Sequence, residues 1–252
     1  MNKGLLVLIG LLLGISYNVQ SQDPSQFDQA QNNLAKKFEQ INRLTDERFS
    51  SSGLLLNGVY FDDPYRDARG HPYLYGEDFL PGSVVFKGRF YPAILLRYDI
   101  VDQLVMIDHQ NPEYQLITII PNEFISEFYL RESHFKRLSL GHDVPQLYQV
   151  IYEGNIIKNY LEWHKSRSKS YHLKTRLSYA FGESKSRRLL VIEEEVYQYR
   201  SNRTFLKPFP DEIKTSLKTY LRSNKIRVNK TDDSTMVDVL RRAENNLYEL
   251  RK

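Results

Sequence analysis

The sequence predicts a mainly β protein of the α+β class, an antiparallel meander that forms a sandwich, a roll or a partial barrel. Aromatic and β-branched residues dominate residues 54–206, and Gly, Asp, Asn and Pro interrupt them every eight to twelve residues or so. Helical periodicity is confined to the two ends, at residues 22–50 and 207–252. Strands at such spacing, with no helices between them, are typical of an antiparallel sheet rather than of βαβ units.

The first 21 residues have the pattern of a secretory signal peptide. Lys3 precedes an uncharged run from Gly4 to Ile15, which is shorter than the ~20 apolar residues needed to cross a bilayer. Val19 and Ser21 then stand at the −3 and −1 positions of a candidate cleavage site. We therefore expect an exported protein, periplasmic or associated with the outer membrane or cell surface, with no transmembrane segment in its mature chain.

Residues 22–50 predict an N-terminal amphipathic helix. Asp23 and Pro24 supply a capping acid and a proline at the first helical position. The apolar side chains that follow at three- and four-residue steps are Phe27, Ala30, Leu34, Phe38, Ile41 and Leu44. A single apolar stripe indicates that this helix packs on its own protein or docks on a partner.

The segment from Leu95 to Ile107 raises the question of whether Asp99 and Asp102 form a catalytic pair. The segment consists of two apolar runs of strand length, and an acid stands near each end of the short connection between them. Aspartate favours turns because its carboxylate accepts hydrogen bonds from nearby backbone N–H groups. We therefore interpret the two acids as the corner of a hairpin. The Lys87-Gly88 pair predicts another hairpin turn.

Further strands are predicted at 115–120, 123–130, 134–140, 147–153, 156–163, 171–181, 189–199 and around Phe205. Pro92 indicates an edge position or the start of a strand, because proline cannot donate to a sheet ladder. The acids at 193–195 interrupt one of these runs and predict either a short helix or a charged edge strand.

Residues 207–252 predict two helices that pack on the β domain. Pro208-Phe209-Pro210 ends the sheet, and the first helix runs from Asp211 to Asn224. The second helix begins at Asp232 or Asp233, where an acid suits the positive end of the helix dipole.

A basic region at residues 156–190 is a candidate anion-binding site. It contains nine Lys and Arg residues against two Glu, in a chain whose formal net charge is only +4. We expect a hairpin with a serine-rich turn at 166–170, and its candidate anion-binding residues are Arg167, Lys169, Lys174 and Arg176. Anionic lipid headgroups or acidic glycans suit such a site in an exported protein, and nucleic acid does not. The alternative is a solvated turn.

Residues 62–79 form a candidate ligand loop in which acids, arginines and aromatics alternate without strand periodicity. Tyrosine and arginine together are typical of contact surfaces. The candidate contact residues are Tyr65, Arg66, Arg69, Tyr73 and Tyr75. The alternative is an ordinary connection whose tyrosines pack on the sheet.

No motif in the chain identifies an enzyme. There is no cysteine, and the sequence contains neither a G-x-S-x-G elbow nor a glycine-rich phosphate loop. The six histidines include no closely spaced pair of the kind that binds zinc, so we expect no metal and no cofactor. An exported hydrolase remains an alternative, with Asp78, Asp108, His109 and Asp143 as its candidate residues.

Three segments resemble a group of uncharacterised secreted β-rich proteins of Bacteroidota. They are the G-x-V-x-F-x-G-x-x-Y hairpin at Gly82–Tyr91, the segment Leu95–Ile107, and the tail YQYRSNRTFLKPFPDEIKTSLKTYLRSNKIRV. The resemblance implies a β-rich body followed by a lysine-rich helical tail, and it assigns no activity to any residue. We therefore expect a non-enzymatic envelope protein with a binding or assembly role. Its partner is another envelope protein, an anionic lipid or a glycan.

Overall fold

A computed structural model describes residues 59–65, 67–110, 116–171 and 177–251. The signal peptide and the N-terminal helix of the sequence analysis lie outside the described residues.

The mainly β class is confirmed: the described chain forms an antiparallel sheet of eleven strands that does not close, a separate two-stranded hairpin, and C-terminal helices. The strands are β1 (Val59–Tyr60), β2 (Leu80–Phe86), β3 (Arg89–Asp99), β4 (Leu104–Asp108), β5 (Ile117–Ile120), β6 (Ile125–Leu130), β7 (Ser133–Leu138), β8 (Gln146–Glu153), β9 (Ile157–His164), β10 (Arg167–Tyr171), β11 (Leu177–Phe181), β12 (Lys185–Ile192) and β13 (Glu195–Tyr199). The helices are α1 (Asn202–Leu206), α2 (Asp211–Ser223) and α3 (Asp233–Leu250).

The sheet grows outward in both directions from β2. Its order is β1-β5-β4-β3-β2-β6-β7-β8-β9-β12-β13, and β10 pairs only with β11. The chain runs from β2 through β3 and β4 to β5, and returns through a short 3-10 turn at Asn122–Phe124 to place β6 beside β2. From β6 onward it adds strands on the other side, so the helices follow directly after the last edge strand.

Two-residue turns with positive φ close two of the hairpins. Lys87 and Gly88 have φ of 51° and 75°, and they join β2 to β3 as the sequence predicted. Glu193 and Glu194 have φ of 51° and 72° and join β12 to β13. Both pairs have the positive φ values of a type I′ turn, which matches the twist of the flanking strands. The short helix considered for residues 193–195 is therefore wrong. The charged edge strand is right only for Glu195, which begins the edge strand β13, because Glu193 and Glu194 form the turn.

The corner interpretation of Asp99 is confirmed. Asp99 ends β3, and its Oδ1 accepts hydrogen bonds from the backbone N–H groups of Val101, at 2.7 Å, and of Asp102, at 3.0 Å. Leu104 then begins β4. Pro92 lies inside β3, opposite a register shift between Gly82 and Val84. It occupies a β-bulge, where its missing N–H costs no ladder bond, and not the start of a strand.

Three apolar clusters lie among the described residues, and the two large ones hold the sheet and the helices together. One is built on β2 to β8 around stacked Phe128 and Phe135, whose ring centroids lie 4.5 Å apart. The other lies between the helices and β8, β9, β12 and β13, and it includes Leu190 and Leu240, neither of which has measurable exposure. Trp163 packs against both clusters. Burial of this apolar surface is the main stabilising contribution to the fold.

Glu244 fastens α3 to the turn between β8 and β9. Its side chain is buried, and its Oε1 accepts from the backbone N–H groups of Ile156 and Ile157, at 2.7 and 3.1 Å. Its Oε2 accepts from the Tyr152 hydroxyl at 2.5 Å. A Cβ at Gly154 would collide with this carboxylate, so a larger residue there would displace the Glu244 side chain from its hydrogen bonds. Burial alone would raise the pKa of Glu244, but these hydrogen bonds outweigh burial and lower it.

Two predicted elements are wrong. The strand expected around Phe205 is helix α1, because Ser201 and Thr204 form a capping box that starts a helix at Asn202. The sheet itself ends at Tyr199. The serine-rich turn expected at 166–170 lies within strand β10, whose residues pair with β11 from Arg167 onward. Residues 172–176, between the two strands, lie outside the described residues.

Candidate anion-binding groove

The candidate ligand loop is fastened to the sheet by its tyrosines. Tyr73 is only 4% exposed and forms a backbone bridge with Asp99. The hydroxyl of Tyr75 lies 2.6 Å from Ser133 Oγ on β7. The ring of Tyr65 packs edge-on against Tyr179, with a centroid distance of 5.2 Å. These contacts favour the interpretation of residues 62–79 as a connection that packs on the sheet.

Lysine and arginine side chains add to this attachment. Lys165 Nζ donates to the backbone carbonyls of His71 and Tyr73, at 2.9 and 2.8 Å. The guanidinium of Arg97 lies 3.9 Å from the ring centroid of Tyr73. Arg69 is exposed and bridges to Ala180 through its backbone. Arg66 lies outside the described residues.

The predicted anion-binding hairpin has one of its arginines already occupied. Arg167 forms an ion pair with Asp102, with Nη1 and Oδ2 2.6 Å apart, and also donates to the Tyr65 hydroxyl. Burial and the Asp102 carboxylate raise the pKa of Tyr65 to about 12, so its hydroxyl stays protonated and donates to Asp102 at 2.8 Å. Lys169 is exposed on β10. Lys174 and Arg176 lie outside the described residues.

The hydrolase candidates are held by separate local contacts. Asp108 accepts from the backbone N–H of Gln110 at 2.9 Å, and His109 Nε2 lies 2.8 Å from Thr118 Oγ1. Burial lowers the pKa of His109. Asp78 and Asp143 are exposed, in the connections before β2 and before β8 respectively. Within the described ranges, no group of three His, Cys, Asp or Glu side chains is arranged to hold a metal ion.

A basic groove lies where β12 extends beyond its edge strand. Residues 185–192 of β12 all pair with β9, but β13 pairs only with 188–192. Residues 185–187 therefore have a neighbouring strand on one side only, as far as the structure describes the chain. A groove of about 720 Å³ opens at this point, and we call it the edge groove. It is lined by Glu162, His164, Lys185, Ser186, Arg187, Arg188, Gln198, Tyr199, Arg200 and Asn229.

Positive charge dominates the edge groove. Lys185, Arg187, Arg188 and Arg200 face a single acid, Glu162. Arg187 Nε donates to Glu162 Oε2 at 2.7 Å, and its Nη2 contacts the same oxygen. This pair fixes the Arg187 side chain and leaves three cations in the groove without an acidic partner among the lining residues. Such an excess attracts anions, and a cleft concentrates the field.

Neutral hydrogen-bonding groups stand beside these cations. The Tyr199 hydroxyl accepts from Asn159 Nδ2 at 3.1 Å, and burial raises the pKa of Tyr199. Gln198, Ser186 and Asn229 supply an amide, a hydroxyl and a second amide. Several donors of different geometry around a cationic centre suit a ligand that combines an acid group with hydroxyls.

Sequence reasoning found part of this site. Lys185, Arg187 and Arg188 belong to the basic region predicted at 156–190, but the candidate residues were placed in the hairpin before them. Arg200 and Asn229 were missed, because they reach the groove from segments that are distant in sequence. The available signal was the cluster of Lys185, Arg187 and Arg188, three basic residues within four positions of the chain.

Comparisons of this chain with protein-family models, with curated proteins and with solved structures each found no match. The described residues form an open antiparallel β protein with a basic groove at the sheet edge. Among the described helices, none has the length and apolarity to span a membrane.

Proposed function

We propose that the protein is an exported, non-enzymatic envelope protein that binds an anionic saccharide in the edge groove. The observation that carries this proposal is the set of four cations and one acid in a groove of about 720 Å³. The amide and hydroxyl groups around the cations support a saccharide over a bare anion. The signal-peptide pattern supports export.

A partial barrel is the finer description of the fold that we propose. Gln103 Nε2, at the β3–β4 corner, donates to the backbone carbonyl of Trp163 on β9 at 3.1 Å. Five strand spacings separate β3 from β9 in the sheet order, which would place them about 24 Å apart in a flat sheet. The hydrogen bond supports a sheet that curls strongly without closing.

Binding of soluble anionic polysaccharides tests the proposed function. We expect the full mature protein to bind polygalacturonate or dextran sulfate at low salt more tightly than polyphosphate, a polyanion without sugar hydroxyls, and not to bind neutral dextran. The dissociation constant should rise with salt, because the attraction is electrostatic. Arg188→Gln and Arg200→Glu should each weaken binding about tenfold, equivalent to about 1.4 kcal/mol.

Lys169→Glu is the matched control, because Lys169 is an exposed cation on the hairpin β10–β11 and lies outside the groove. It should leave the affinity within about twofold of the unmodified protein. Failure to bind both acidic polysaccharides, or tighter binding of polyphosphate than of either one, would refute the proposal. If Lys169→Glu weakened binding more than Arg200→Glu, the binding site would instead be the hairpin that the sequence analysis predicted.

A further inference from the structure

The helical segment carries a second concentration of positive charge. Residues 200–230 contain nine Lys and Arg residues against Asp211 and Glu212, a local excess of seven positive charges. The basic residues are Arg200, Arg203, Lys207, Lys214, Lys218, Arg222, Lys225, Arg227 and Lys230. Lys214 pairs with Asp211 at 2.8 Å, and only Arg200 of the nine belongs to the edge groove.

Four of these cations surround an apolar depression that we call the cationic cup. It has a volume of about 510 Å³ and lies between α1, the end of α2 and the segment that follows α2. Its apolar floor is formed by Leu206, Leu221 and Ile226. Its basic residues are Lys218, Arg222, Lys225 and Arg227, all exposed, and Asn202 completes the lining. No acidic side chain is among these lining residues.

Hydrogen bonds hold the cup in shape. Asn202 Nδ2 donates to the carbonyl of Ile226 at 2.7 Å, and Asn202 Oδ1 accepts from the N–H of Val228 at 2.9 Å. The amide of one side chain thus ties the start of α1 to the segment after α2. Leu206 and Leu221 are 6% and 2% exposed, which fixes the floor within the packed core.

Lys225 stands at a position where the backbone favours glycine. Its φ is +54°, and it follows the C-terminal end of α2. The N–H of Ile226 donates to the carbonyl of Leu221 at 2.8 Å, and the N–H of Lys225 donates to that of Arg222 at 3.1 Å. This is the Schellman pattern, whose left-handed residue is usually glycine. A side chain at such a position is strained, which favours a role for the lysine itself.

We propose that the cationic cup binds an anionic lipid, with the phosphate of the headgroup on the basic rim and the first methylenes of an acyl chain on the apolar floor. A soluble polyanion gains nothing from Leu206, Leu221 and Ile226, and an uncharged lipid gains nothing from four cations. An anionic amphiphile uses both. Long basic side chains around an apolar floor also suit the interface of an anionic membrane, where their stems remain apolar and their charges reach the phosphates.

Vesicle co-sedimentation of the full mature protein tests this inference. We expect binding to vesicles of phosphatidylglycerol and phosphatidylcholine mixed, and none to vesicles of phosphatidylcholine alone. Lys218→Glu and Arg222→Glu should each reduce the partition coefficient about tenfold. Lys158→Glu, which reverses an exposed cation on β9 outside the cup, is the matched control and should change it less than twofold. Equal binding to both kinds of vesicle, or equal loss with the control, would overturn the inference.

Lys225→Gly separates binding from folding. Relief of the left-handed strain should raise the melting temperature by about 2–4 °C, whereas loss of the cation should weaken vesicle binding several-fold. A stabilised variant with undiminished binding would contradict the role assigned to Lys225.

Soluble glycerol phosphate tests the apolar floor. It should not displace the protein from vesicles at concentrations equal to those of the lipid phosphate, because it lacks the acyl chain. Efficient displacement would overturn the use of the floor. Cup variants should retain polysaccharide binding in the edge groove, so failure of this inference and failure of the proposed function give different results.

Discussion

The corner between β3 and β4 and the turn between β8 and β9 each bury one carboxylate, yet the two environments shift its pKa in opposite directions. Burial raises the pKa of Asp99 to about 6, and two backbone N–H groups offset burial only in part. The pKa of Glu244 is lowered by the Tyr152 hydroxyl and by the backbone N–H groups of Ile156, Ile157 and Asn155. Asp99 uses only one oxygen for its hydrogen bonds, whereas Glu244 uses both.

The difference shows what a buried carboxylate needs in order to stabilise a fold. Hydrogen bonds to both oxygens compensate for the water that Glu244 loses, so its charge stabilises the attachment of α3. The single-oxygen turn at Asp99 fixes the hairpin corner while its charge opposes folding at neutral pH. Neither residue is among those that line the edge groove or the cationic cup.

Glu244→Ala should give the largest effect. It leaves two backbone N–H groups and one tyrosine hydroxyl without their partner, and each buried unpaired donor costs about 1–3 kcal/mol. We expect the free energy of unfolding in urea to fall by about 3 kcal/mol. Glu249→Ala, at an exposed acid on the same helix, is the control and should change it by less than about 0.5 kcal/mol. If the two substitutions lowered the free energy of unfolding by similar amounts, the hydrogen bonds of Glu244 would not be a special source of stability.

Asp99→Asn should stabilise the protein at pH 8 by up to about 2 kcal/mol. The folded state holds the Asp99 proton up to about pH 6, and the unfolded state releases it near the ordinary aspartate pKa of 3.8. Stability therefore falls as the pH rises between these two values, and the cost is complete above the higher one. Asparagine retains the oxygen that accepts from Val101 and Asp102 but carries no charge.

Urea unfolding of Asp99→Asn at pH 4 and pH 8 measures this effect. The advantage of the variant should disappear near pH 4, where the native carboxyl is protonated in the folded state. Asp108→Asn serves as the control, because Asp108 forms the same kind of turn bond to Gln110 near the end of β4. A variant less stable than the unmodified protein at pH 8 would show that the carboxylate charge supports the corner.

Sequence patterns predicted the parts of this molecule that depend on neighbouring residues. The Lys87-Gly88 turn, the corner at Asp99 and the end of α2 at Asn224 all follow from local backbone preferences. The ion pair of Asp102 with Arg167, the position of Glu244 beneath Gly154, and the approach of Arg200 to β12 join residues far apart in the chain. No local pattern specifies such contacts, because they depend on how strands are ordered in the sheet.

Phe205 shows how local signals can also compete. Its aromatic side chain after a long β region predicted a strand, but the Ser201–Thr204 capping box and the apolar face of α1 made this segment helical. Phe205 is fully buried, and its ring centroid lies 5.2 Å from that of Tyr199 at the end of the sheet. The core at this point accepts an aromatic ring from a helix as readily as from a strand.

Asp102→Asn should give the smallest change in stability and the clearest test of the hairpin β10–β11. The ion pair with Arg167 is about one-third exposed on both sides, and such pairs contribute less than about 1 kcal/mol. We expect a loss of that size or less in urea unfolding. A double-mutant cycle with Arg167→Gln isolates the contribution of the ion pair.

Asp102→Asn also removes the acid that pairs with Arg167 and so makes this arginine available to anions. If the edge groove is the binding site, the polysaccharide affinity of Asp102→Asn should nevertheless stay within about twofold of that of the unmodified protein. An increase of tenfold or more would instead show that Asp102 masks an anion site at Arg167.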